Sequence, residues 1–163
     1  MQTSTDHPNV IIFPPFIALG TIAWGFLMQW LLPLHLLARV ALPVRGSAGF
    51  LLLDFGVFLM IVGQRTLSSL GTNTNPRWPT TALAIDGVYE WTRNPMYAGG
   101  RLAMLGIALM FGTDWLLLLI APSAALLHYG VVLREERYLE RKFGDAYMLY
   151  KALAPRYIWN SIV

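Results

Sequence analysis

Pro95 to Leu133 reads PMYAGGRLAMLGIALMFGTDWLLLLIAPSAALLHYGVVL, two apolar runs separated by Gly112-Thr113-Asp114. Pro at the first helical position needs no hydrogen-bond donor, and Asn94 before it is a residue type that caps free backbone N–H groups. The first run, about 95–111, and the second, about 115–133, approach the length needed to cross a hydrocarbon core about 30 Å thick. The Gly-Thr-Asp link is short enough to make them a helical hairpin. No breaker separates the second run from Arg134 to Phe143 (REERYLERKF), so the same helix is predicted to leave the membrane as a charged segment.

Working outward toward the N-terminus, two further apolar runs appear, about 11–34 and 48–70, joined by a link holding Arg39 and Arg45. Trp24 and Trp30 suit an interfacial end of the first. The second carries Asp54 and, near its end, Gln64 and Arg65. Between it and Pro95 lies a loop, 71–94, rich in Thr, Asn, Pro and Gly. It is longer than structureless loops usually are, and Trp78, Tyr89 and Trp91 argue against disorder. The expected fold is all-α: one membrane domain, 1–163, with about four transmembrane helices, the 71–94 loop and a cytoplasmic tail over 134–163. Four spans put both termini on one side, with about eight Lys or Arg there against two in the first link. That asymmetry places the loop and the tail in the cytoplasm.

Composition supports this reading. Of 163 residues 56% are hydrophobic and 13% charged, against roughly a quarter charged in soluble domains. Cysteine is absent, which excludes disulfides, thiolate metal sites and cysteine nucleophiles. No metal site is expected. The basic residues of the tail alternate with Glu135, Glu136, Glu140 and Asp145, a pattern suited to anionic headgroups rather than to nucleic acid. Met1 to Pro8 lacks the basic residues of a signal peptide, so no cleaved leader is expected.

Several residues are candidates for chemistry. Glu135 and Glu136 have no cation three or four residues away on their helix, so any partner comes from elsewhere in the chain. They are either solvated glutamates at an interface or carboxylates that grip a ligand. His128, seven residues before Glu135, is expected on the same helical face, as a bundle hydrogen bond or part of a pocket lining. Arg101 lies one turn after Tyr97 inside the third run, where a guanidinium is costly without a partner. Asp54 is a possible one. The junction Gly87-Val88-Tyr89 to Arg93-Asn94-Pro95-Met96-Tyr97 serves either as a plain helix cap or as a seat for a carboxylate, with free N–H donors and Arg93 as a two-pronged grip. Gly99-Gly100 is too sparse for a phosphate loop, and no strand precedes it.

Taken together, GTNTNPRWPTTALAIDGVYEWTRNPMYAGG (71–100) and REERYLERKFGDAYMLYK (134–151) carry the ordered pattern G-x-Y, R-[HN]-P-x-Y-x-G, E-E and F-G-x-x-Y. In this the chain resembles the isoprenylcysteine carboxyl methyltransferase and phospholipid methyltransferase group of integral membrane enzymes. The resemblance implies S-adenosylmethionine as cofactor, bound between the loop and the hairpin. Carried over by position, the cofactor contacts are Thr81, Ala82, Leu83, Ala84, Tyr89, Asn94, Pro95, Met96, Tyr97 and Glu135, and Arg93 joins them as the grip on a carboxylate.

The chain departs from the group at two positions. Asn94 stands where His is commoner. Val131 stands where prenylcysteine enzymes have a substrate-recognising arginine, so a prenylated cysteine is not implied as substrate. Methyl transfer from a sulfonium needs alignment more than acid-base help. An amine acceptor would need a proton acceptor, for which Glu136 and His128 are the candidates, with Arg101 as a further catalytic candidate. The expected acceptor is an amphiphilic or small molecule reached from the lipid bilayer. A sterol-reductase-like enzyme using NADPH and a non-enzymatic assembly or transport factor are the alternatives.

Overall fold

The computed structural model describes residues 6–157. Residues 1–5, part of the start expected to lack a cleaved leader, and 158–163, the end of the tail, lie outside the described residues. Among the described residues the regular structure is entirely helical: α1 (Pro14–Leu31), α2 (Leu42–Ser69), a single-turn α3 (Val88–Trp91), α4 (Pro95–Phe111), α5 (Asp114–Leu127), α6 (Leu133–Phe143) and α7 (Asp145–Leu153). Pro14, Pro43 and Pro95 each stand in the first turn of a helix, where the missing N–H costs nothing. The α4 helix matches the expected run, whereas α2 begins six residues before the apolar run does.

By length and composition two helices can cross a membrane: α2, and the helix that runs from Asp114 through Phe143. Both expose large apolar side chains, among them Phe50, Leu51, Phe58, Leu118 and Tyr129. So many exposed apolar side chains are unusual on a soluble monomer.

Glycine brings α2 and α4 together. A Cβ on Gly56 would lie 2.5 Å from the Gly99 carbonyl oxygen, and one on Gly49 would lie 2.7 Å from that of Gly106. Both separations are shorter than any side chain tolerates, so these backbones touch because both partners lack side chains. The pairs 49/106 and 56/99 run in opposite senses, so the helices are antiparallel. Gly25 of α1 likewise admits fully buried Leu116 of α5.

The helix from Asp114 is not uniform. Residues His128–Val132 form a π-helical turn between α5 and α6. A π turn inserts one residue and rotates the downstream helix by roughly one residue step, about 100°. The expectation that His128 and Glu135 share a face fails for this reason. Leu127, eight residues before Glu135, lines the same cavity as that glutamate, and His128 does not.

Candidate functional site

A cavity of about 570 Å³ opens between α1, α2, α4, α5, the 71–94 loop, α6 and α7. This lies within the usual size range of small-molecule sites. Along α4 its wall changes character turn by turn: Asn94 to Tyr97 at the helix start, Gly100 and Arg101 next, then Met104. Ile17, Leu19 and Leu127 continue the apolar part, while Asn73, Thr74, Asn75 and Thr80 from the loop supply polar groups.

Every expected cofactor contact except Thr81 lines this cavity. Thr81 braces the loop: its hydroxyl donates to Gly71 O at 3.0 Å, and its N–H donates to the Thr72 hydroxyl at 2.9 Å. Of the candidate catalytic residues, Glu136 and Arg101 line the cavity. His128 instead meets the Tyr157 hydroxyl through Nδ1 at 2.8 Å and packs edge-on against Tyr129.

The adjacent glutamates are treated very differently. Glu136 is buried and clamped between two arginines: Arg93 at 2.9 Å from Oε1 and Arg156 at 2.7 Å from Oε2. The hydrogen bond to Glu136 raises the Arg156 pKa above its ordinary value. Glu135 lines the cavity and accepts one hydrogen bond, from the Tyr97 hydroxyl at 2.8 Å. Among the described residues it forms no ion pair.

Arg93 and Asn94 do not have the geometry expected of them. The remaining donors of Arg93 reach Lys151 O at 2.9 Å and Ala154 O at 2.7 Å, so its guanidinium ties the C-terminal segment to the start of α4. The Asn94 side chain does not cap α4; its amide donates to Arg156 O at 3.3 Å. Thr92 donates to the same carbonyl at 2.8 Å. These partners lie some sixty residues downstream, which no local pattern reveals.

Arg101 places its guanidinium carbon 4.5 Å above the Tyr157 ring, a cation–π contact. Asp54, considered as its partner, lies with Leu51, Phe55, Val57, Phe58 and Ile61 around a separate hollow.

Tyr147 and Tyr150 also line the cavity and were not among the expected contacts, although Tyr147 closes the F-G-x-x-Y pattern. Burial raises both phenols well above their ordinary pKa, so they remain neutral donors; Tyr150 donates to Tyr89 O at 2.7 Å. Tyr89 in turn donates to Gly63 O at 3.3 Å, joining the loop to α2. The wall therefore combines aromatic faces, one carboxylate without a cation and a helix start. That set suits a ligand carrying positive charge, a flat ring and a carboxylate.

Searches of curated proteins and of solved structures each return no match. The phospholipid methyltransferase sequence profile matches residues 44–146, from the first turn of α2 to the beginning of α7. With well over half its length covered, the chain belongs to the phospholipid methyltransferase family, a family of membrane methyltransferases.

Proposed function

We propose that the chain is an S-adenosylmethionine-dependent methyltransferase that binds its cofactor in the α4–α6 cavity at the cytoplasmic edge of the membrane. In this reading α1, α2, α4 and α5 are four spans. The α4–α5 pair forms a hairpin, and α6 and α7 belong to a cytoplasmic tail. The bound cofactor would supply a methyl group on a sulfonium. The observation that carries the reading is Glu135, a cavity-lining carboxylate held by the neutral Tyr97 hydroxyl and by no cation among the described residues.

Each residue then has a task. Glu135 faces the positive charge or ribose hydroxyls of the cofactor, and Tyr97 fixes the carboxylate in place. The start of α4 faces the cofactor carboxylate. Tyr89, Tyr147 and Tyr150 supply aromatic walls. Glu136 is a positioning residue, because two guanidiniums already occupy its carboxylate and leave it a poor proton acceptor. Arg93 and Arg156 act with it. His128 stays outside the cavity, so an amine acceptor would lose its proton to another group or to solvent. Ile17, Leu19, Met104 and Leu127 form an apolar approach for an amphiphilic acceptor sliding in from the bilayer. The wall then excludes water and aligns the nucleophile, which is most of what this displacement requires.

Calorimetric titration of the purified protein with S-adenosylhomocysteine tests the assignment. Binding is expected, and Glu135→Gln is expected to weaken it about tenfold, or about 1.4 kcal/mol. Saturable binding of NADPH instead would replace this reading with a reductase. Labelled-methyl transfer into a membrane lipid extract then identifies the acceptor.

A further inference from the structure

Asp6 to Phe13 precede the part of the chain that the family profile matches, yet Pro8 and Phe13 line the cavity. The segment is held in two different ways. Val10 and Ile12 pack on buried Leu127, Val131 and Val132, and Ile11 donates its N–H to Gly130 O at 3.1 Å. Asp6 and Asn9 are held instead by polar groups of α6. Between the two stretches the chain turns sharply: the Val10 N–H donates to Pro8 O at 2.8 Å, the closure of a γ-turn. Tyr138 is buried, and its hydroxyl is fully used. Its proton goes to Asp6, whose Oδ1 lies at 3.1 Å, and its oxygen accepts from Lys142 Nζ at 3.0 Å and from the Thr80 N–H at 3.2 Å. Thr80 belongs to the loop and lines the cavity, so one hydroxyl ties the loop wall to the N-terminal wall. Arg77 of the loop, its guanidinium carbon 5.2 Å from the centre of the Phe13 ring, makes a second tie beside the start of α1.

We propose that residues 6–9 are a flap over the cavity, hinged at the γ-turn, and that Tyr138 is its latch. In the proposed methyltransferase, on which the role of this flap rests, the water-soluble cofactor enters from the cytoplasmic end, where loop and flap meet. Lifting the flap parts Asp6 from Tyr138 and takes Pro8 out of the cavity wall, while Val10 and Ile12 stay packed. Asp6 and Lys142 are both exposed, so water replaces the bonds they lose, and an ion pair of this kind contributes little. The flap is therefore cheap to open. Closing it restores the wall and excludes water from the bound ligand. Motions of this kind set the exchange rates of many enzymes. Tyr138 is thus a positioning residue, which acts through Asp6 and Thr80.

The test reads the association and release rates of S-adenosylhomocysteine on the full chain. Tyr138→Phe keeps the buried ring and removes the latch, and is expected to raise both rates about fivefold, the effect of roughly one hydrogen bond. The association rate decides the matter, because losing a mere wall contact speeds release alone. The absence of cysteine makes the converse experiment specific. Asp6→Cys combined with Lys142→Cys is expected to exchange ligand faster than the unmodified chain, and slower than it once a short bifunctional thiol reagent joins the pair. Unchanged rates in Tyr138→Phe, faster release with unchanged association, or exchange through the cross-linked flap as fast as in the unmodified chain would overturn the proposal. If the unmodified chain binds no S-adenosylhomocysteine, it is the methyltransferase reading that fails. The flap is then judged without ligand, from a spin label on Asn9→Cys: Tyr138→Phe is expected to increase its mobility, and equal mobility would overturn the flap.

Discussion

The two ends of the helical bundle both carry polar side chains and use them in opposite ways. At the end where α4 passes into α5, Asp114, Arg45 and Trp115 all satisfy backbone groups. Buried Asp114 accepts the N–H groups of Leu36 and Leu37 at 2.9 and 2.8 Å. Arg45 donates to the carbonyls of Leu109 and Met110 at the end of α4, and the Trp115 ring donates to Leu32 O at 2.6 Å. At the end formed by the loop and α6, part of the polar set is likewise committed to structure, in the Arg93–Glu136–Arg156 clamp. Glu135 and Tyr97 instead line an open cavity and bond each other rather than the backbone. Polar residues in an apolar chain thus mark a site only where bonding capacity remains after the backbone has been served.

Substitutions can break or sharpen that contrast. The largest effect is expected for Glu136→Leu, which leaves two guanidiniums facing each other without their carboxylate; a loss of about 3 to 5 kcal/mol is expected in reversible unfolding. A smaller loss of stability would show that the clamp is not structural. Asp114→Ala strands two N–H groups and should cost about 2 to 3 kcal/mol. Its affinity for S-adenosylhomocysteine, measured on the folded fraction, should be unchanged. Altered affinity would mean that the two ends are not functionally separate. Glu135→Gln should reverse the pattern, with stability held within about 0.5 kcal/mol and affinity reduced about tenfold. The smallest effect is expected for Tyr97→Phe, which removes the hydroxyl bond to Glu135 and should weaken binding by a few-fold, about 0.5 to 1 kcal/mol.

Much of this architecture is legible in the sequence, for identifiable reasons. Hydropathy reports burial or lipid contact directly, and Pro95 announces a helix start through its own missing donor, so the apolar helices and the loop emerge from the chain alone. The absence of nearby cations on their helix singles out Glu135 and Glu136, but it cannot separate them. That distinction depends on Arg156, an arginine twenty residues further on, and on Arg93 reaching across from another element. Asn94 has a capping side chain by type, and the Arg156 carbonyl claims it. His128 is misplaced by sequence spacing because that spacing assumes 3.6 residues per turn throughout, and nothing in HYGVV signals a wider turn.

That wider turn also bears on the start of the chain. Ile11 donates its N–H to the carbonyl of Gly130 at 3.1 Å, and Arg134 donates to the carbonyl of Asn9 at 3.0 Å. Farther along α6, Lys142 holds Asp6 at 2.7 Å. The widened stretch works like the index pin of a dial. It sets the angle at which the charged helix leaves the apolar one, and the N-terminal segment is fastened across the setting. Deleting one residue from 128–132 would turn α6 back by about 100°. The two neighbouring glutamates would then be carried round together, and neither would keep its present place.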